Sequence, residues 1–67
     1  MLIKKSITIK KHRTSLSLEK EFWDALKMIT KENDCSLENL VTDIDSNRKA
    51  SLASAIRVYI LKFYMKN

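Results

Sequence analysis

Apolar residues change their spacing early in this 67-residue chain, and the change marks its first two elements. Thr14, Leu16 and Leu18 alternate with Arg13, Ser15 and Ser17, which is the period of a half-buried strand. From Phe22 the spacing becomes helical. Phe22, Ala25, Leu26 and Ile29 fall at i, i+3, i+4 and i+7, with Glu21, Asp24, Lys27 and Lys31 on the opposite side. A first helix is therefore expected from Glu19 or Lys20 to Lys31 or Glu32, with acids at its positive end and Lys31 near its negative end. Trp23 is expected to flank the core stripe, as a packing residue or a dimer contact. The helix should stop at Asn33-Asp34, where Asn33 substitutes for the glycine the chain lacks. Ser36 has the character of an N-cap, with Asn39 three residues on, and Leu37, Leu40, Val41 and Ile44 define a short second helix over about 37–45. After a polar connection at Asp45 to Lys49, Ser51 should cap a third helix reaching about Tyr64. Leu52, Ala55, Ile56, Tyr59, Ile60 and Phe63 form its apolar stripe, widened by Val58, Leu61 and Met65.

A lone strand leaves a row of backbone N–H and C=O groups unpaired, and no second strand of comparable quality lies downstream. The partner is expected from another chain. Two copies paired antiparallel would form a ribbon with Leu16 and Leu18 inward and Arg13, Ser15 and Ser17 outward, and such a ribbon fits the major groove of DNA. Upstream, Ile7-Thr8-Ile9-Lys10 alternates as well, so residues 1–11 read as a basic arm that either extends the ribbon or frays up to about Ser6 without DNA. Residues 12–67 then make the single domain.

These residues resemble the ribbon-helix-helix family of DNA-binding proteins. The likeness rests on the ribbon from Arg13 to Leu18, the immediate helix from Glu19, and the turn Asn33-Asp34-Cys35-Ser36 before a second helix. The run His12-Arg13-Thr14-Ser15-Leu16-Ser17-Leu18-Glu19 with Phe22-Trp23 is similar to a small bacterial branch of it. The resemblance implies a mainly α fold, with one short N-terminal strand pairing antiparallel with a second subunit and three helices after it. It also implies a homodimer whose intersubunit ribbon reads DNA, and a phosphate clamp at the N-terminus of the second helix, here Ser36 and Leu37. Asp34 and Glu38 would repel phosphate at that clamp.

Charge agrees with a nucleic-acid partner. Residues 1–13 carry five basic side chains and no acid, residues 14–45 hold all eight acids against three lysines, and residues 46–67 are again basic without an acid. Affinity is expected from Lys4, Lys5, Lys10, Lys11 and His12 on phosphates, and sequence choice from Arg13, Ser15 and Ser17 at base edges of double-stranded DNA. Sixty-seven residues bury too little surface for more than marginal stability alone, and Cys35 is the sole cysteine, so oligomerisation is the expected source of stability. Leu16, Leu18, Phe22, Leu26, Leu40, Ile44, Ile56, Tyr59 and Ile60 are the expected dimer core. The chain reads as cytoplasmic, without a membrane segment, and as a transcriptional repressor or autoregulator. The alternative is an antitoxin or interaction module that offers its third helix, around Tyr59, Phe63, Tyr64 and Met65, to a protein partner. No enzyme chemistry, cofactor or metal spacing is legible.

Overall fold

The strand without a sequence-legible partner finds one inside its own chain. The computed structural model describes residues 1–66, and β1 (Leu2–Ile9) pairs antiparallel with β2 (His12–Glu19). The register runs from Ile9↔His12 at the turn to Leu2↔Glu19 at the open end. Three helices follow: α1 (Lys20–Asn33), α2 (Leu37–Asn47) and α3 (Leu52–Met65). The order expected from the sequence, a ribbon and then three helices, is present. Asn67, the last residue of the expected domain, lies outside the described residues.

Residues expected to form a basic arm fraying up to Ser6 are instead β1, and this corrects the lone-strand reading. Ile3, Ile7 and Ile9 share one face with Leu18, Leu16 and the helices, and within β1 only Lys5 interrupts that apolar side. Lys5 is accommodated because its ammonium lies 5.0 Å from the centroid of the Trp23 ring, a cation–π contact. Trp23 is itself buried, and its Nε1–H donates to the carbonyl of Ile3 at 2.9 Å. So Trp23 is a core residue that ties β1 to α1, where the sequence had placed it beside the stripe. The connection hid the hairpin: Lys10 and Lys11 both have positive φ, 51° and 70°, in a two-residue turn that usually selects Asn-Gly.

The core lies between the inner ribbon face and the helices. Ile7, Ile9, Leu16 and Leu18 meet Leu26, Ile29, Leu40, Val41, Ile44, Ile56 and Ile60. Burying one such side chain contributes about 1.5–3 kcal/mol before entropy is counted. Seven of the residues expected at a dimer interface, Leu16, Leu18, Leu26, Leu40, Ile44, Ile56 and Ile60, are buried inside the single chain, while Phe22 and Tyr59 are half-buried at the margin.

Side chains explain the helix ends. Asp34, and not Asn33, takes the left-handed conformation that stops α1, at φ 52°. The hydroxyl of Ser36 accepts from the Asn39 N–H at 3.0 Å and that of Ser51 from the Ser54 N–H at 3.2 Å, as the capping pattern predicts. The second helix runs two residues beyond its expected end, to Asn47. There Ser46 Oγ donates to the Thr42 carbonyl and Asn47 Nδ2 to the Asp43 carbonyl, both at 3.0 Å. α1 starts without a side-chain cap, because the Glu19 carboxylate is engaged by Arg57 of α3 at 2.9 Å. The Arg57 guanidinium also lies over the Phe22 ring at 5.7 Å, so one side chain fastens α3 to the β2–α1 junction.

Candidate nucleic-acid interface

Inward placement of the ribbon's isoleucines and leucines forces the alternate residues outward. The outward pairs are Lys4↔Ser17, Ser6↔Ser15 and Thr8↔Arg13, with Leu2↔Glu19 at the open end. Lys4, Ser6, Arg13 and Ser15 are exposed, and Thr8 and Ser17 are half-buried. The six central positions thus carry only hydroxyls and cations. Two strands about 4.8 Å apart, with such side chains standing off one face, match a major groove about 12 Å wide. Lys10 and Lys11, both exposed, extend the positive charge at the turn.

Glu19 is the single carboxylate in either strand. A hydrogen bond from its own backbone N–H and then the Arg57 guanidinium hold its carboxyl below the usual range. On the exposed side of α1 the Lys20 ammonium meets Asp24 at 2.8 Å. That contact lowers the Asp24 carboxyl and raises the Lys20 amine, each chiefly through the shared hydrogen bond.

The structure brings Lys4, Arg13, Ser15 and Ser17 together on the outward face, with Lys10 and Lys11 at its tip. Lys5 falls on the other side of the ribbon, against Trp23. His12 is exposed beside the turn, in the inward register opposite Ile9. Ser36 and Leu37 open α2, where Ser36 is exposed, Leu37 half-buried and the Ser36 hydroxyl already engaged as a cap, with Asp34 and Glu38 exposed close by in sequence. Ser6 and Thr8 were missed in the sequence. The signal was available in the alternation of Ile7 and Ile9, which would have placed them outward once β1 was taken as a strand.

Two further surfaces remain open. An open groove follows β2 and is lined by Thr14, Ser15, Ser17, Arg48 and Leu52. On α3, Val58, Leu61, Tyr64 and Met65 are exposed. Among the described residues no helix is long and apolar enough to cross a membrane, and no group of three or more His, Cys, Asp or Glu could hold a metal ion.

The family model described as ribbon-helix-helix domain matches residues 2–64, which takes in both strands and nearly all of the three helices. The chain belongs to the ribbon-helix-helix family. That family is in general a dimeric, DNA-binding and often transcription-regulating fold, and its chemistry is regulatory rather than enzymatic. No curated protein and no solved structure matches this chain significantly. The match covers β1 as fully as β2, so the hairpin lies within the part of this ribbon-helix-helix chain that the family describes.

Proposed function

We propose that this chain is a homodimeric, sequence-specific DNA-binding protein of the bacterial cytoplasm that represses transcription, including its own. The observation that carries the reading is the outward ribbon face, whose six central side chains are all hydroxyls or cations. Arg13 makes the bidentate contact to guanine, and Ser15 and Ser17 donate to or accept from base edges. Lys4, Lys10 and Lys11 hold phosphates, with His12 beside them, and Lys5 joins only by leaving the Trp23 ring. The Ser36–Leu37 helix start is a weaker phosphate contact, opposed by Asp34 and Glu38. Because most of the expected dimer core is used up within one chain, the subunits meet through surfaces still open: the free edge of β2 and the apolar side of α3.

Competition binding on a preferred duplex and on unrelated duplexes tests the reading. Arg13→Ala should lose about 1–3 kcal/mol on the preferred duplex and much less on the others. Equal losses on both would leave the ribbon as a backbone grip, without sequence recognition.

A second reading has its own observation. Exposed Val58, Leu61, Tyr64 and Met65 on α3 support an antitoxin or adaptor role in which that helix binds another protein while the ribbon still holds DNA.

A further inference from the structure

A groove of about 490 Å³ opens between α2, α3 and the turn that joins them, large enough to take several side chains. Its apolar lining is Ile44, Ala50, Ala55, Val58 and Tyr59. Three cations, Arg48, Lys49 and Lys62, stand in the same lining against one carboxylate, Asp43. Arg48 is fixed in place, because its guanidinium donates to the Asp45 carboxylate at 2.7 Å and to the Ala50 carbonyl at 2.8 Å. Lys49 and Lys62 are exposed, and among the described residues neither forms an ion pair. From residue 46 onward the sequence has no acid, so α3 offers these lysines no carboxylate of its own. A nucleic acid would be drawn to the cations but would gain nothing from the apolar residues between them. An extended peptide fits no better: the walls are two helices whose backbone N–H and C=O groups are spent on their own turns, so a strand has nothing to pair with. A helix brings its backbone already satisfied and docks by side chains alone. Ala50, Ser54 and Ala55 are small, which lets its axis come close.

We propose that the α2–α3 groove binds an acidic amphipathic helix of a partner protein. Its apolar residues, spaced at i, i+3 or i+4 and i+7, cover Ala55, Val58 and Tyr59, and Asp or Glu on the flanks of that stripe meet Lys49 and Lys62. The inference rests on the second reading above, a protein partner at α3, and specifies where on that helix the partner sits and what it is made of. On α3 the groove takes Val58 and Lys62, while the exposed Leu61 and Met65 stand outside its lining and stay open for subunit contact. Apolar cover supplies the affinity, and the lysines select an acidic helix over a neutral or basic one.

The full chain, free of DNA, serves as bait for a display library of helices about four turns long, each with one apolar stripe and a random choice of Asp, Glu, Lys, Arg or Gln elsewhere. The expected result is that enriched helices carry Asp and Glu beside the stripe and bind less tightly as salt rises. Lys49→Glu combined with Lys62→Glu, a surface change that should leave the melting curve in place, should weaken those helices by about 10-fold or more. Exchanging the flanking acids of an enriched helix for lysine should restore its binding to that double variant. Enrichment of basic or neutral helices would overturn the proposal, and so would acidic helices that bind the double variant unchanged. If such helices lose their hold on Leu61→Asp instead, α3 still meets a protein and the second reading survives without the groove. If no helix is enriched, that reading and this inference fall together. Duplex DNA that displaces an enriched helix, and that the double variant binds as poorly as it binds the helix, would make the groove part of the nucleic-acid surface and would overturn the proposal as well.

Discussion

The outward ribbon face and the outer side of α3 are similarly open to water and opposite in chemistry. On the ribbon the six central outward residues are hydroxyls or cations, whereas α3 shows Val58, Leu61 and Met65 in one helical row. A polar row that keeps its hydration suits a charged, wet polymer. An apolar row suits a surface that expels water. The contrast supports the proposal that the N-terminal third of the chain grips and reads DNA and that the C-terminal third associates.

The salt response gives the largest effect that sharpens this contrast. If each dimer neutralises roughly 6 to 10 phosphates, DNA affinity should fall by about three to five orders of magnitude between 50 and 200 mM salt. Titration at several salt concentrations measures the slope. Lys10→Asn with Lys11→Gly should flatten it while raising thermal stability by about 1 kcal/mol, because both replacements suit positive φ better than lysine does. A turn variant with an unchanged slope would remove these two lysines from the phosphate contacts.

Next in size is the inner ribbon face. Leu18 is fully buried, so Leu18→Lys should cost the fold itself through an unpaired buried charge. Circular dichroism of that variant should show an unfolded chain, with DNA binding lost as well. A smaller effect is expected on α3. Leu61→Asp should leave the fold intact and weaken self-association by about 10- to 100-fold, as read by sedimentation. An unaltered association constant would move the subunit contact to the free edge of β2.

The smallest effect links the two regions. The Glu19 carboxyl is held below its usual range by its own backbone N–H and by Arg57. Its contribution to stability is therefore complete above the ordinary carboxylate range and is lost as pH falls through the depressed value. The thermal midpoint of Glu19→Gln should lie slightly below that of the unaltered chain at pH 7, and the two should converge as pH falls through the depressed value. A constant gap over that range would mean that the ion pair does not set it.

Three helices and β2 were legible because their periods are clean: Leu37, Leu40, Val41 and Ile44 can only face one way on a helix, and Leu16 and Leu18 only one way on a strand. β1 was not legible, for two physical reasons. Lys5 stands where an apolar residue was expected, and its tolerance there depends on Trp23, 18 positions away in sequence. Lys10-Lys11 also conceals a turn that composition normally announces with Asn or Gly. For the same reasons two of the six central outward residues were missed. Arg13, Ser15 and Ser17 followed from the period of β2 alone, whereas Ser6 and Thr8 needed the register. The Asp34 helix stop was displaced by one position because Asn and Asp tolerate the same left-handed conformation, and spacing alone does not choose between them.

An isolated two-stranded sheet has two outer edges, and every such edge is a template for uncontrolled stacking of further chains. In this hairpin the strand least covered by helices is the one that carries Lys4 and Lys5, while Lys10, Lys11 and Arg13 crowd the turn. Stacking one hairpin against another would bring these cations together at about 4.8 Å spacing, where like charges repel. The same lysines proposed to grip a phosphate chain should therefore act as a colloidal safeguard. Free of nucleic acid, the protein should stay dispersed at low salt and begin to self-stack as salt screens the edge.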